Sequence, residues 1–308
     1  MVALFALVPY LTDDVQLRES LLLAAVYITL ASNLNLMIGY AGYVNFGNIV
    51  FFGLGGYISV YLVDAWQWPV MPAALLAGCA VSVLALLFGL GILRLRGAFF
   101  ALATIGVNEA IRQFVANFEP WGGATGIYLS IDAYAPLGGP MRALWTAYFV
   151  MVAVMGASLF LSYAIKNSKF GLGLLAIGQN EDAAAVLGVP TPRYKALVYS
   201  TSAFLPALAG GIYFFKSGII EPTGAFNLSL SIEAIVMVML GGQGTVIGPA
   251  AGAFLYEELR GLLLTSQVFS HFQLVVAGGL LLVIVLFVPG GLIGWIHRQW
   301  PRTTRILE

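Results

Sequence analysis

Six ionisable side chains lie inside stretches otherwise built from apolar residues: Glu109, Arg112, Glu233, Glu257, Glu258 and Arg260. A charge at such a position is expensive in lipid, so it must face the interior of a helix bundle or water, and it marks a place where function can reside. Glu109 and Arg112 are three residues apart and can pair on one helix face, which most simply fixes a helix in register. Glu233 has no basic residue at helical spacing, so its carboxyl must be protonated or hydrogen-bonded within the bundle, or serve as a titrating group. Other chemistries are poorly provided for. One cysteine, Cys79, and two histidines, His271 and His297, leave too few soft ligands for a zinc, haem or iron–sulfur site, and no carboxylate metal motif is present, so no metal is expected. Neither histidine has an acid partner at helical spacing, so no catalytic residue is assigned. Asn227-Leu-Ser matches a glycosylation pattern at chance frequency.

The elements that must hold these charges are membrane helices. Of 308 residues, 60% are hydrophobic and 9% charged, where a soluble domain carries about 25% charge. Fourteen basic and fourteen acidic side chains cannot cover a water-facing surface of this size, and a net charge of zero gives no basis for binding nucleic acid. Apolar runs of helical length, with no ten-residue alternation, predict an all-α polytopic bundle and exclude a barrel. The spans fall near 21–38, 49–63, 70–93, 98–118, 145–165, 196–215, 228–240, 249–264 and 274–288. Met1–Leu11 is a partial first span, giving nine or ten crossings in one domain, 1–308. The N-terminus lacks the pattern of a cleaved secretory signal and is expected to be retained. Arg94 and Arg96, then Lys166, Lys169, Arg193 and Lys195, then Arg298, Arg302 and Arg305 fall on one face, which is therefore cytoplasmic. An outer loop at 119–144 and a cytoplasmic loop at 166–195 are the long connections.

Two predicted spans, 49–63 and 228–240, are short and adjoin glycines, the pattern of discontinuous helices. Gly39, Gly42 and Gly47 near one end of the chain, and Gly241, Gly242 and Gly244 near the other, break helices at or near the cytoplasmic face. Broken backbone is tolerated there only if it is buried or lines a cavity. Asn45, Asn48 and Gln243 would then be available to a polar solute on a translocation path, with Glu233 as a further candidate. Close helix packing through glycine is the alternative use of such residues.

In the cytoplasmic loop, 167–188 reads NSKFGLGLLAIGQNEDAAAVLG, and its apolar residues recur at helical spacing around a polar middle. One or two short amphipathic helices outside the membrane are expected, serving as an interfacial anchor or a docking element. Glu181, Asp182, Ala183, Ala184 and Gly188 resemble the EAA loop of ABC importer permeases, with Asp182 where that family usually has Glu. Small alanines let such a helix sink into a groove on a partner, and the glycine ends it. Four further blocks, beginning at Asn33, Phe51, Leu93 and Leu240, follow in the order of the branched-chain amino acid permease family, and resemble its LivM-type subunits over about residues 20–290.

The resemblance implies an inner-membrane subunit of an ATP-driven importer, working by alternating access on branched-chain or related small amino acids. It implies a second permease, two ABC ATPases and a periplasmic or lipid-anchored binding protein as partners, with no enzyme activity on this chain. ATP and magnesium would belong to the ATPases, and no lysine here is preceded by the glycine of a phosphate-binding G-x-x-x-x-G-K-[ST]. Within the family the cargo could instead be urea or short amides. From a different class, an ion-coupled transporter or channel would use Glu109, Glu233 or Glu257 as its titrating group, without ATP.

Overall fold

The computed structural model describes residues 14–264 and the isolated positions 5, 9, 275, 279 and 291. Predicted spans at 1–11 and 274–288, both histidines and the C-terminal arginines otherwise lie outside the described residues. The first long helix, α1 (Val15–Asn35), is capped by the Asp14 carboxylate, which accepts from the Gln16 and Leu17 amides at 2.8 and 3.3 Å. It runs on through a π-helical stretch, Leu36–Tyr40. There follow α2 (Asn48–Trp66), α3 (Val70–Ile92), α4 (Ala98–Ala116), α5 (Pro140–Lys166), α6 (Lys169–Gln179), α7 (Glu181–Val186), α8 (Thr191–Ser217), α9 (Pro222–Ala225), α10 (Leu228–Gly241) and α11 (Gly248–Leu264). The structure is an all-α membrane bundle with one strand pair, β1 (Ile127–Tyr128) against β2 (Ile219–Ile220), antiparallel.

Among the described residues six segments are long and apolar enough to cross a membrane: Val15–Tyr40, Asn48–Trp66, Val70–Ile92, Pro140–Lys166, Thr191–Ser217 and Pro222–Gly241. The nine or ten expected crossings include 1–11 and 274–288, which apart from isolated positions lie outside the described residues. The α4 helix, 19 residues, carries Glu109 and Arg112 and falls outside the set of six, as does α11, described over 17 residues. The segment expected to be short at 49–63 is a full 19-residue helix, because it continues to Trp66 before Gln67 closes it in the left-handed region (φ 52°). The outer connection ends at Gly139, where α5 begins, and is built from three 3₁₀ turns and β1. Trp121 from this connection stacks on Tyr57 of α2, which stacks in turn on Phe226 (ring centroids 5.4 and 5.9 Å).

Small residues set the helix spacing, as they must where lipid supplies no hydrophobic drive for association. Packing of α2 on α8 is so close that a Cβ added at Gly210 would lie 1.9 Å from the Phe52 carbonyl oxygen, and one at Gly55 would lie 2.1 Å from that of Ala207. Beside this seam Ser82 of α3 and Ser200 of α8 exchange hydroxyl-to-carbonyl bonds at 2.9 and 2.8 Å. Gly210→Ala should therefore cost about 1–3 kcal/mol or more through overpacking against backbone. Gly91→Ala, on α3 with open space around it, should be neutral or slightly stabilising. Thermal unfolding of the detergent-solubilised protein separates the two, and equal behaviour would refute the seam.

Candidate functional site

The first glycine-rich segment turns back into the bundle. After the π-helical stretch the chain reverses at Gly42 (φ +75°), with the Tyr43 amide bonded to the Met37 carbonyl at 2.9 Å. A side chain would be strained at that φ and would also press on Gly178 of α6 at 3.2 Å, so the turn requires glycine. Phe46 then donates its N–H to Thr104 Oγ1 at 3.2 Å, nearly two turns into α4, and Ile49 donates to Ser231 Oγ, in the first turn of α10, at 3.2 Å. The N-terminus of α2 is thus inside the bundle, held by side chains that replace the backbone partners lost at the break. Asn45 and Asn48 are buried here. The Asn45 Oδ1 accepts from Gly47 N at 2.9 Å, while Asn45 Nδ2 and Asn48 Oδ1 have no hydrogen-bond partner.

The second segment meets the first. Asn35 donates its amide to the Thr245 carbonyl (2.9 Å) and accepts from the Gly244 N–H (2.9 Å), and a Cβ on Gly39 would lie 2.3 Å from Gly244 N. Gly39, Gly42 and Gln243 line one cavity of about 420 Å³ together with Leu175, Gly178 and Gln179 of α6. The candidate path residues therefore divide. Gly39, Gly42, Gln243 and Gly244 gather beside α6; Asn45, Gly47 and Asn48 sit at the buried start of α2; Gly241 packs against Gly248 of α11; and Gly242 (φ +118°) closes α10. Glu233 lies elsewhere, buried on α10, and interacts electrostatically with Arg260 and Glu257 of α11. Its basic neighbour comes from another helix, which helical spacing within one segment could not reveal. Arg260 also donates to the Tyr27 hydroxyl of α1 at 2.5 Å and lies 3.6 Å from Glu257.

The loop at 166–195 forms two helices, α6 and α7, within the one or two that its periodicity predicts. Asn180 breaks between them and caps α7 by accepting from Ala183 N at 3.0 Å. Glu181 points inward and is fully engaged: Lys195 Nζ approaches at 2.7 Å, the Tyr43 hydroxyl donates at 2.6 Å, and Arg96 Nε stands 3.3 Å away. Asp182 pairs with Arg96 at 3.0 Å, Ala184 is buried, and Ala183 is exposed. Gly188 (φ +89°) ends the motif in open space. Just before it Val186 and Leu187 project, 88% and 82% exposed.

Lys195, expected among the basic loop residues, is instead buried in α8, where its ammonium donates to Glu181, to Tyr43 Oη at 3.0 Å and to the Leu93 carbonyl at 2.8 Å. Burial pushes the Glu181 carboxyl upward, but the bonds from Lys195 and Tyr43, with the charges of Lys195 and Arg96, outweigh it and hold the group below the ordinary carboxylate range. Tyr43 is pushed up by burial and by its bond to Glu181. Tyr43 and Arg96 were not singled out as members of this cluster. Their contribution is tertiary, although both stand within the sequence blocks that carry the family resemblance.

The described residues form an apolar helical bundle with a broken helix pair at one end, braced by two short helices. The chain matches the family described as branched-chain amino acid transport system / permease component over residues 16–285, and it belongs to that family. Its relatives include the high-affinity branched-chain amino acid transport system permease protein LivM of Escherichia coli, 26% identical over 90% of this chain and 70% of the relative. The ribose import permease protein RbsC of Bacillus subtilis is 29% identical over 70% and 72%, and the L-arabinose ABC transporter permease protein AraH of Azospirillum brasilense 25% over 75% and 68%. No solved structure gives a significant match. The protein is thus a multi-pass inner-membrane permease component of an ABC transporter and not an enzyme; the ion-coupled alternative is set aside.

Replacing Lys195 by Met should leave Glu181 buried without its principal partner and cost about 3–5 kcal/mol, with much of the loss recovered by adding Glu181→Gln. Because the folded-state value of Glu181 is depressed, the stabilisation is full above the ordinary Glu value and lost as pH falls through the lowered one. The gap between wild type and Lys195→Met should therefore narrow below about pH 4. Unfolding midpoints across pH check both, and a pH-independent gap would refute the ionic account.

Proposed function

We propose that this subunit imports small amino acids, branched-chain ones foremost, within an assembly of two permeases, two ABC ATPases and a periplasmic or lipid-anchored binding protein. ATP and magnesium act on the ATPases. One observation carries the mechanism: the helix pair α6–α7 presents exposed Val186 and Leu187 outward and is keyed inward, by Glu181, Tyr43 and Lys195, to the broken segment at Gly42. A push on the outward side, received by this EAA-like element, is transmitted through buried ionic contacts to the place where α1 and α2 can move relative to one another. Alternating access then consists of rocking about the glycine-broken segments, with the outer connection at 119–139 offered to the binding protein.

A sugar is the second reading, favoured by the ribose and arabinose permeases among the relatives. Urea and short amides are carried by no comparable observation. Val186→Asp with Leu187→Asp should leave the subunit folded, since both side chains contact solvent, yet reduce ATP-driven leucine uptake by about tenfold or more, in keeping with the loss of an apolar anchor at an interface centre. The assay is uptake by proteoliposomes holding the whole assembly, with ribose as the competing cargo. Undiminished uptake would overturn the docking role; ATP-driven uptake of ribose and not leucine would overturn the cargo.

A further inference from the structure

The α4 helix has a face, with Glu109 and Gln113 on it, that its packing leaves open. Phe100, Thr104, Asn108 and Val115 form its buried face. The opposite face, through Phe99, Leu102, Gly106, Glu109 and Gln113, is exposed. The Glu109 side chain is 52% exposed and that of Arg112 30%, about 16 and 21 Å from Ala98 along a helix of 1.5 Å rise per residue. Full charges cannot face lipid, so this face borders water or another polar protein surface.

The pair is not a plain helix brace either. Arg112 Nε and Nη2 bond both Glu109 oxygens at 2.9 and 2.5 Å, and Gln113 Nε2 adds a donor at 2.9 Å. Both charges border a cavity of about 240 Å³ whose other walls include Asn108, Thr223, Phe226 and Asn227. Asn108 is 3% exposed and donates its Nδ2 to the Phe226 carbonyl at 3.0 Å, while its buried Oδ1 has no hydrogen-bond partner. A carboxylate and a guanidinium thus border one small polar space beside the open face.

We infer that this cavity is a transient binding site for the zwitterionic head of an amino acid, with Arg112 receiving the carboxylate and Glu109 the ammonium. The exchange conserves charge pairs: Glu109–Arg112 opens, and each member takes the oppositely charged end of the solute, so entry leaves no buried charge without a counterion. A neutral sugar or amide cannot repeat this exchange, because it would leave the ion pair closed or broken without compensation. The site rests on the amino-acid reading of the function and deepens it, since it supplies the chemistry by which this chain would tell an amino acid from the cargo of its sugar-importing relatives.

The test uses the complete assembly in proteoliposomes. Wild-type uptake of leucine and of ribose is measured first; ribose without leucine ends both the cargo reading and this site. The double exchange Glu109→Arg with Arg112→Glu keeps an i,i+3 ion pair but reverses the polarity of the site. Assembly and ATPase activity should persist while leucine uptake falls about tenfold or more, the scale of lost charged hydrogen bonds. Full leucine uptake by the exchanged variant would reduce the pair to a brace and overturn the site, leaving the cargo reading intact. Should the exchanged variant fail to assemble, Thr223→Cys in a Cys79→Ser background decides. A charged methanethiosulfonate should label it, leucine should slow the labelling and ribose should not. No labelling, or labelling indifferent to leucine, overturns the site.

Discussion

Every peptide group freed from a helix within a membrane must find a partner inside the protein, and this requirement governs the cytoplasmic half of the molecule. The chain leaves helical geometry after Tyr40 and regains it at Asn48. In water such a break would be solvated. Here Thr104 satisfies Phe46, Asn45 satisfies Gly47, Ser231 satisfies Ile49, and Asn35 closes both an amide and a carbonyl of the facing loop at 244–245. Four helices are thereby committed to fixed positions around one interruption. The glycines are consequences of the same constraint: polar backbone must approach polar backbone, and Gly39 against Gly244 leaves no volume for a side chain.

The second commitment is electrostatic. Lys195 is buried, and an ammonium in that position is tolerable only because three acceptors surround it. One acceptor is the carbonyl of Leu93 at the end of α3, one belongs to the turn after the π-helical stretch, and one is Glu181 at the start of α7. Buried ionic contacts of this kind specify an arrangement more than they strengthen it. What they specify here is that the two short helices cannot shift without disturbing the turn at Gly42 and the α3–α4 connection. Arg96 extends the same tie to Asp182 at the surface, where solvent weakens it.

The sequence made the class of fold, the two helices of the cytoplasmic loop and the family legible, because each is written locally: in hydropathy, in periodicity, and in blocks such as Asn33-Leu-Asn-Leu. The helix carrying Glu109 and Arg112 has the length of a span with less apolarity, so hydropathy alone marks it weakly. The role of Asn35 could not be read, because an asparagine inside an apolar run does not declare that it will clasp a loop 210 residues away. Lys195 was assigned to the surface by its neighbours Arg193 and Lys169, and only the tertiary fold shows α8 beginning at Thr191 and carrying it inward. The path residues were recognised as breakers, but which of them open to space and which serve packing depends on contacts between segments distant in sequence.

The two intramembrane charge groups meet the same cost in opposite ways, and the difference has functional content. Glu233, Glu257 and Arg260 sit between α10 and α11 with the hydroxyl of Tyr27 above them, so their charges compensate one another in a largely buried setting. A group compensated in this way ties α11 to α10 and α1. Glu109 and Arg112 are compensated too, yet their helix packs only along its Phe100–Thr104–Asn108 face and leaves them open on the other side. A purely structural tie needs no open face. An ion pair that must part and re-form needs one, because the solute has to reach it. On the proposed reading, the group between α10 and α11 belongs to the part of the bundle that stays fixed, and the pair bordered by polar space to the part past which cargo moves.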